Sequence, residues 1–186
     1  LEVISFKTSF RILTVGSSGS GKTNILTNII HKSSGTFNKI IVYTANKHEP
    51  LYKYLESKID KEMLDIYEGL THLNSMSLED LGPGQILIIF DDLVLDKNQG
   101  QIESLFIRGR KLSDGMGISC IYLTQSYTLV PKIIRKQASH LIIKKLSSKY
   151  ERMTIIKEAG NLDMRQLTEL YNYCTDGSFT NSYLLI

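Results

Sequence analysis

The sequence predicts an α/β fold, a mostly parallel central sheet with helices on both faces, and three observations lead to it. Short runs rich in β-branched and aromatic residues alternate with stretches whose apolar residues recur at helical spacing. A glycine-rich octapeptide, residues 16–23, sits between one such strand and one such helix. Gly16, Asp91 and Gln125 each follow the carboxyl end of a predicted strand, the edge where open α/β sheets form their ligand crevice.

The elements follow in order. Residues 1–9 alternate loosely (Val3, Ile4, Phe6) and read as an edge strand leading into the strand Phe10 to Val15. Asn24 to Ile30 continues as a helix. Lys39 to Ala45 is a second buried strand, and Glu49 to Ile59 a helix, with Pro50 suited to its first turn. Met63 to Tyr67 reads as a strand, Ser77 to Leu81 as a short helix capped by Ser77, and Gly82-Pro83-Gly84 as a turn. Gln85 to Phe90 is the clearest strand. A helix over Ile102 to Leu112, a flexible segment over Ser113 to Gly117 and a strand over Ile118 to Thr124 come next. The chain then reads as a helix over Pro131 to Ala138, a strand over Ser139 to Lys144, helices over Ser147 to Ala159 and Asp163 to Cys174, and a last strand over Ser182 to Ile186.

Composition narrows the class. At 186 residues, 42% hydrophobic and 22% charged, the chain suits one α/β domain, residues 1–186, with a sizeable core. No apolar run approaches the ~20 residues that span a bilayer, and no secretory signal opens the chain. The first residue is Leu1 rather than Met, which points to a trimmed chain. Cys120 and Cys174 read as reduced core cysteines of an intracellular protein. A net charge of +3 does not announce a nucleic-acid partner, yet Lys132, Arg135, Lys136, Lys144, Lys145, Lys149 and Arg152 face one acid, Glu151. Such a stretch is either a phosphate-attracting surface or a solvated helix face.

The octapeptide Gly16-Ser17-Ser18-Gly19-Ser20-Gly21-Lys22-Thr23 fits the phosphate-loop pattern G-x-x-x-x-G-K-[ST]. Its glycines let amide groups turn inward around a phosphate chain, and the helix opening near Gly21 adds the positive end of its dipole. Lys22 brings a cation to the β- and γ-phosphates, and the Thr23 hydroxyl can ligate Mg²⁺. The chain is therefore expected to bind ATP with Mg²⁺. Ile86 to Phe90 followed by Asp91-Asp92 forms a Walker B pattern. Asp91 is assigned to Mg²⁺, while Asp92 either orients or deprotonates the attacking water or merely caps the next segment. Gln125 can sense the γ-phosphate or hold the water, since an amide both donates and accepts. Arg108 and Arg110, in Phe106-Ile107-Arg108-Gly109-Arg110-Lys111, are candidates for a finger supplied to a neighbouring subunit. Asn46-Lys47-His48-Glu49 and Asp114-Gly115-Met116-Gly117 imitate GTPase motifs but have the wrong acid or the wrong place. The four histidines show no zinc spacing. The tyrosines Tyr122, Tyr127, Tyr150, Tyr171 and Tyr173 read as core or rim residues.

The motifs at 16–23, 88–93, 106–111 and 121–127, followed by Val130-Pro131 and Ile134-Arg135, resemble the viral genome-packaging ATPases of the FtsK–HerA superfamily. The similar branch is that of large nucleocytoplasmic DNA viruses and virophages, and the resemblance spans roughly residues 10–145. It implies a P-loop NTPase fold of the additional-strand type, with residues 118–124 lying between the phosphate-loop and Walker B strands. It also implies a homo-oligomeric ring with sites at subunit interfaces, double-stranded DNA as substrate and viral capsid proteins as partners. The resemblance places the chain inside the host cell at the site of virion assembly, away from membranes. By position, Lys22 and Thr23 bind phosphate and Mg²⁺, Asp91 is the Walker B acid, Gln125 the sensor, and Arg108 or Arg110 the finger. Many relatives carry glutamate after the Walker B aspartate, whereas this chain has the shorter Asp92, which weakens a direct base role. A nucleotide or small-molecule kinase and a non-catalytic ATP-dependent adaptor remain as alternatives.

Overall fold

A computed structural model of the chain describes residues 7–159, 163–175 and 183–186. Seven strands form one sheet: β1 (Arg11–Val15), β2 (Lys39–Thr44), β3 (Leu64–Glu68), β4 (Ile86–Asp91), β5 (Ile118–Thr124), β6 (His140–Ile143) and β7 (Leu184–Leu185). Their order across the sheet is β3-β2-β4-β5-β1-β6-β7, parallel except for the antiparallel pair β6–β7. β5 pairs with β4 on one side and β1 on the other, the additional-strand arrangement that the resemblance implies.

Strands covered on both faces need apolar residues at every position, not alternate ones. β4 meets that need from Ile86 to Phe90, and β1 and β5 are buried throughout with Arg11, Thr14, Ser119 and Thr124 as their polar positions. Alternate residues then feed two cores. Ile12, Val42, Leu87, Ile89, Ile121 and Leu123 pack with α1 (Lys22–Lys32) and α2 (Pro50–Lys58). Leu13, Val15, Tyr43, Ile88, Phe90 and Tyr122 pack against the other face. That face is covered by α3 (Thr71–Ser75), α4 (Gly100–Arg108), α5 (Lys132–Gln137), α6 (Lys149–Glu158) and α7 (Met164–Thr175).

Several expectations shift. The edge strand expected over 1–9 falls on undescribed residues up to 6, and residues 7–9 are not extended into the sheet. The helix expected to reach Leu112 stops at Arg108 and tightens into a 3₁₀ turn over Gly109–Lys111. Ser77 to Leu81 is likewise a 3₁₀ turn (Leu78–Leu81); the Ser77 hydroxyl donates to the Glu79 carboxylate and so caps no backbone amide. The segment expected to be flexible, 113–117, is a tight turn with positive φ at Ser113, Asp114, Gly115 and Gly117. The Ser113 hydroxyl ties it to Gly82 O and Gly84 O at 2.9 and 2.6 Å. Among the described residues no helix is long and apolar enough to cross a membrane.

Candidate nucleotide site

Parallel register brings the predicted site residues to one edge. Val15 lies opposite Thr124 and Asp91 opposite Leu123, so the chain leaves β1, β5 and β4 side by side. Backbone bonds stitch these exits together, Gly16 N to Thr124 O at 3.2 Å and Asp92 N to Leu123 O at 3.1 Å.

The octapeptide folds as a loop, and α1 opens with Gly21 at its N-cap, φ 88°. No side chain caps that helix, so the first-turn amides face the loop interior, the arrangement that binds anions. Gly19 and Gly21 adopt the left-handed conformation that glycine permits. Gly16 is glycine for a different reason: a Cβ there would fall 2.5 Å from both Lys144 Cβ and Ser20 Oγ. Lys22 turns its ammonium back onto its own loop, donating to Gly16 O at 2.7 Å and Ser17 O at 3.2 Å. Burial lowers its pKa, while Asp92 and then Asp91 pull it upward. Thr23 is exposed in the first turn of α1.

Asp91 closes β4. Burial raises its carboxyl to about 6, the Tyr52 hydrogen bond works downward and the like charge of Asp92 works upward. Tyr52, wholly buried on α2, donates its hydroxyl to Asp91 Oδ2 at 2.5 Å. Asp92 takes a left-handed φ of 56° and accepts from Gln125 Nε2 at 2.5 Å. The capping alternative for Asp92 does not hold, since the next helix begins at Gly100 with Gln99 at its N-cap. Lys22, Asp91, Asp92 and Gln125 thus form one cluster. Asp91 and Thr23 offer hard oxygen donors, with Asp92 adding a like-charged carboxylate beside Asp91, a set suited to Mg²⁺.

The arginines are elsewhere. Arg11, the first residue of β1, donates from Nη1 to Phe106 O at 3.0 Å, and a Cβ on Gly109 would lie 3.6 Å from Ile118 O at the start of β5. Arg108 and Arg110 therefore sit at the amino edge of the sheet. The length of β5, seven residues or about 20 Å, separates them from their own phosphate loop. Arg108 lies 3.8 Å from exposed Glu79, and Arg110 is exposed.

The basic stretch does not form one face. Lys144 is buried, Arg135 bonds Glu158 at 3.3 Å and stacks on Tyr127, and Arg152 lies over Tyr171. Lys132, Lys136, Lys145 and Lys149 remain exposed. Glu151, read from sequence only as the lone acid of that stretch, anchors the loop after Gln125. It accepts from Ser126 Oγ at 2.6 Å, Tyr127 N at 2.6 Å and Thr128 Oγ1 at 2.7 Å. Burial alone would raise its pKa, but these bonds win and hold it below the ordinary carboxylate value. Ser148-x-x-Glu151 is a capping-box spacing visible in the sequence; the Ser148 half forms, bonding Glu151 N at 3.3 Å, while the carboxylate is spent on the neighbouring loop. Gln99 was also missed: it accepts from the buried Tyr122 hydroxyl and donates to Leu93 O, pinning the segment after Asp92.

Residues 4–169 match the poxvirus A32 protein family. The chain belongs to that family. No curated protein sequence matches the chain significantly. Solved structures share the fold at low identity. The genome packaging NTPase B204 of Sulfolobus turreted icosahedral virus 2, in complex with sulfate, aligns with TM-score 0.62 and 16% identity over 87% of this chain and 86% of that one. B204 of Sulfolobus turreted icosahedral virus, a DNA-packaging ATPase, gives 0.61 and 14% over 97% and 98%. EssC of Geobacillus thermodenitrificans gives 0.57 and 14% over 79% of this chain and 34% of that one. Family and fold agree with the resemblance carried by the motifs.

Proposed function

We propose that this chain is the ATP-hydrolysing subunit of a motor that drives double-stranded DNA into a viral capsid. The observation that carries the reading is the convergence of Lys22, Asp91, Asp92 and Gln125 at the exits of three adjacent strands, in a chain of the poxvirus A32 family. B204, alike in fold, is described as a genome packaging NTPase and has been solved with AMPPCP and with ATP-γS.

In this reading Lys22 exchanges its loop carbonyls for the β- and γ-phosphates. Thr23 and Asp91 would hold Mg²⁺, which would screen the phosphate charge. Gln125 and Asp92, already bonded to each other, hold a water in line with the γ-phosphorus. Its oxygen forms the new P–O bond, the β–γ bridging bond breaks toward ADP, and the proton leaves by way of Asp92 or solvent. Arg108 or Arg110 serves a neighbour's site, because neither reaches its own. The same placement disfavours the kinase alternative, whose lid those arginines would have to form. Segment 94–101, with exposed Leu95 and Lys97, and the exposed Lys132 and Lys136 are the DNA-facing candidates. The ring acts inside the host cell, where the capsid is filled, with capsid proteins as its partners.

The test is steady-state ATP hydrolysis with and without long double-stranded DNA, with Lys22→Ala and Gln125→Ala as controls. DNA-stimulated hydrolysis abolished by both substitutions is the expected result, with specific activity rising steeply with protein concentration. Hydrolysis indifferent to DNA at low salt, or flat with concentration, would refute the motor; tight ATP binding without turnover would favour the adaptor.

A further inference from the structure

We infer that Lys144, at the end of β6, is a second phosphate-binding cation of the nucleotide site. The inference rests on the nucleotide reading above and adds a residue that the loop motif does not contain.

The geometry comes from the two ends of the loop. Lys144 Cβ and Cγ lie 2.5 and 3.2 Å from where a Cβ on Gly16 would stand. Its Cε and Nζ lie 3.7 and 3.5 Å from the same point on Gly21. The stem therefore runs along the loop from its first glycine to its last and delivers the ammonium to the N-cap of α1. Backbone bonds fix this course: Lys144 N donates to Val15 O at 2.8 Å, and Ser17 N to Lys145 O at 3.1 Å. Ser147 N then bonds Ser17 Oγ at 2.9 Å, clasping the β6 exit to the loop.

The electrostatics suit an anion. Lys144 is 2% exposed, and its ammonium has no hydrogen-bond or ion-pair partner among the described residues. Burial lowers its pKa. It stands beside the positive end of an 11-residue helix. Arg135 and Arg152, from the same basic stretch, have partners within the fold. A methionine would fill the same channel beside Gly16 without placing a cation at the helix terminus. A phosphate chain at the Gly21 end of the loop would offset both the burial of the ammonium and its repulsion by the helix terminus. The ligand class is a nucleoside di- or triphosphate, whose β-phosphate meets the helix terminus; a monophosphate has no group to place there.

The experiment measures ADP, ATP and AMP binding by calorimetry to the full chain and to its Lys144→Met, Lys144→Gln and Lys144→Arg variants, with melting temperatures taken without ligand. Lys144→Met and Lys144→Gln should weaken ADP and ATP roughly 10- to 100-fold, the range expected for a lost charge-assisted hydrogen bond, and AMP much less. Lys144→Arg should retain most of the affinity. The unliganded melting temperature of the two uncharged variants should be unchanged or higher, whereas a fall in both would assign the ammonium to the fold. ADP affinity within twofold of wild type overturns the inference, as does failure of both uncharged variants to fold, since the ammonium would then serve the fold. A wild-type chain that binds neither ADP nor ATP would sink the nucleotide reading itself. Wild-type binding that Lys144→Met leaves intact would sink this inference alone.

Discussion

Replacing Tyr52 with phenylalanine tests how the Walker B carboxylate is held. The hydroxyl meets Asp91 Oδ2 at 2.5 Å from a fully buried ring, so the substitution removes one hydrogen bond and little packing. A bond to a charged acceptor contributes about 1.5–3 kcal/mol and a neutral one about 0.5–1.5. Asp91 titrates at about 6 in the fold, against an ordinary 3.8. Its folded pKa is raised, so its contribution to stability is fully present below the unfolded value and is lost as pH rises to about 6. Tyr52 restrains that rise, and without it the folded pKa climbs further. The Tyr52→Phe penalty should therefore be larger at pH 8, where Asp91 is charged, than at pH 5. Urea unfolding of both chains at the two pH values measures it, with ~2–4 °C of melting temperature per kcal/mol as a cross-check. The acid limb of ATP hydrolysis should move to higher pH. An equal penalty at both pH values, or a larger one at pH 5, would refute the reasoning.

Three further outcomes are expected. Gly16→Ala, which forces a Cβ to 2.5 Å from Lys144 Cβ, should destabilise the chain by about 1–3 kcal/mol through overpacking. Gly19→Ala meets nothing within 4 Å and should cost only the left-handed strain of about 1–2 kcal/mol, with chemical denaturation comparing the two. Glu151→Gln should lose about 1.5–3 kcal/mol at pH 7. Because the folded pKa of Glu151 is depressed, that stability is present above the unfolded value near 4.3 and fades as pH falls through the folded one, so parallel curves at pH 7 and pH 3 would argue against the anchor. Arg108→Ala and Arg110→Ala should each keep stability within about 0.5 kcal/mol, as exposed substitutions do, while one of them loses hydrolysis 100-fold or more. Mixing that variant with Lys22→Ala should restore part of the activity, and co-assembly without recovery would exclude a finger acting in trans.

The sheet was legible because parallel strands buried on both faces must be apolar throughout. Ile86 to Phe90 is apolar at every position, and Ile118 to Thr124 at all but Ser119 and Thr124. The cluster of Lys22, Asp91, Asp92 and Gln125 was legible for a related reason: the loop that carries Lys22, the pair Asp91-Asp92 and Gln125 stand at the ends of β1, β4 and β5, and parallel register carries strand ends to a common edge. Lys144 also ends a strand, yet it was read only as one of seven basic residues. Nothing in a run of lysines shows which one slides beneath a glycine loop, because that depends on β6 lying next to β1. Tyr52 and Glu151 stayed hidden likewise, since their partners are 39 and about 25 residues away in the chain. The helix after β4 was drawn too long because Gly109, tolerable within a helix, marks the point where the α turn tightens into a 3₁₀ turn. The turn at 113–117 was taken as flexible because glycine permits mobility and tight turning equally well.

Asp92 shows what the site demands of the fold. An aspartate at φ 56° occupies backbone space better suited to glycine, and the bond from Asp92 N to Leu123 O holds it there. The replacement that would relax this strain, Asp92→Gly, deletes the very carboxylate that Gln125 grips. On the proposed mechanism robustness and turnover thus pull one position in opposite directions, and the chain has kept the side chain. An engineer seeking a sturdier chain would find an easy gain here, and on the proposed mechanism would obtain a protein that endures heat better while the attacking water goes unheld.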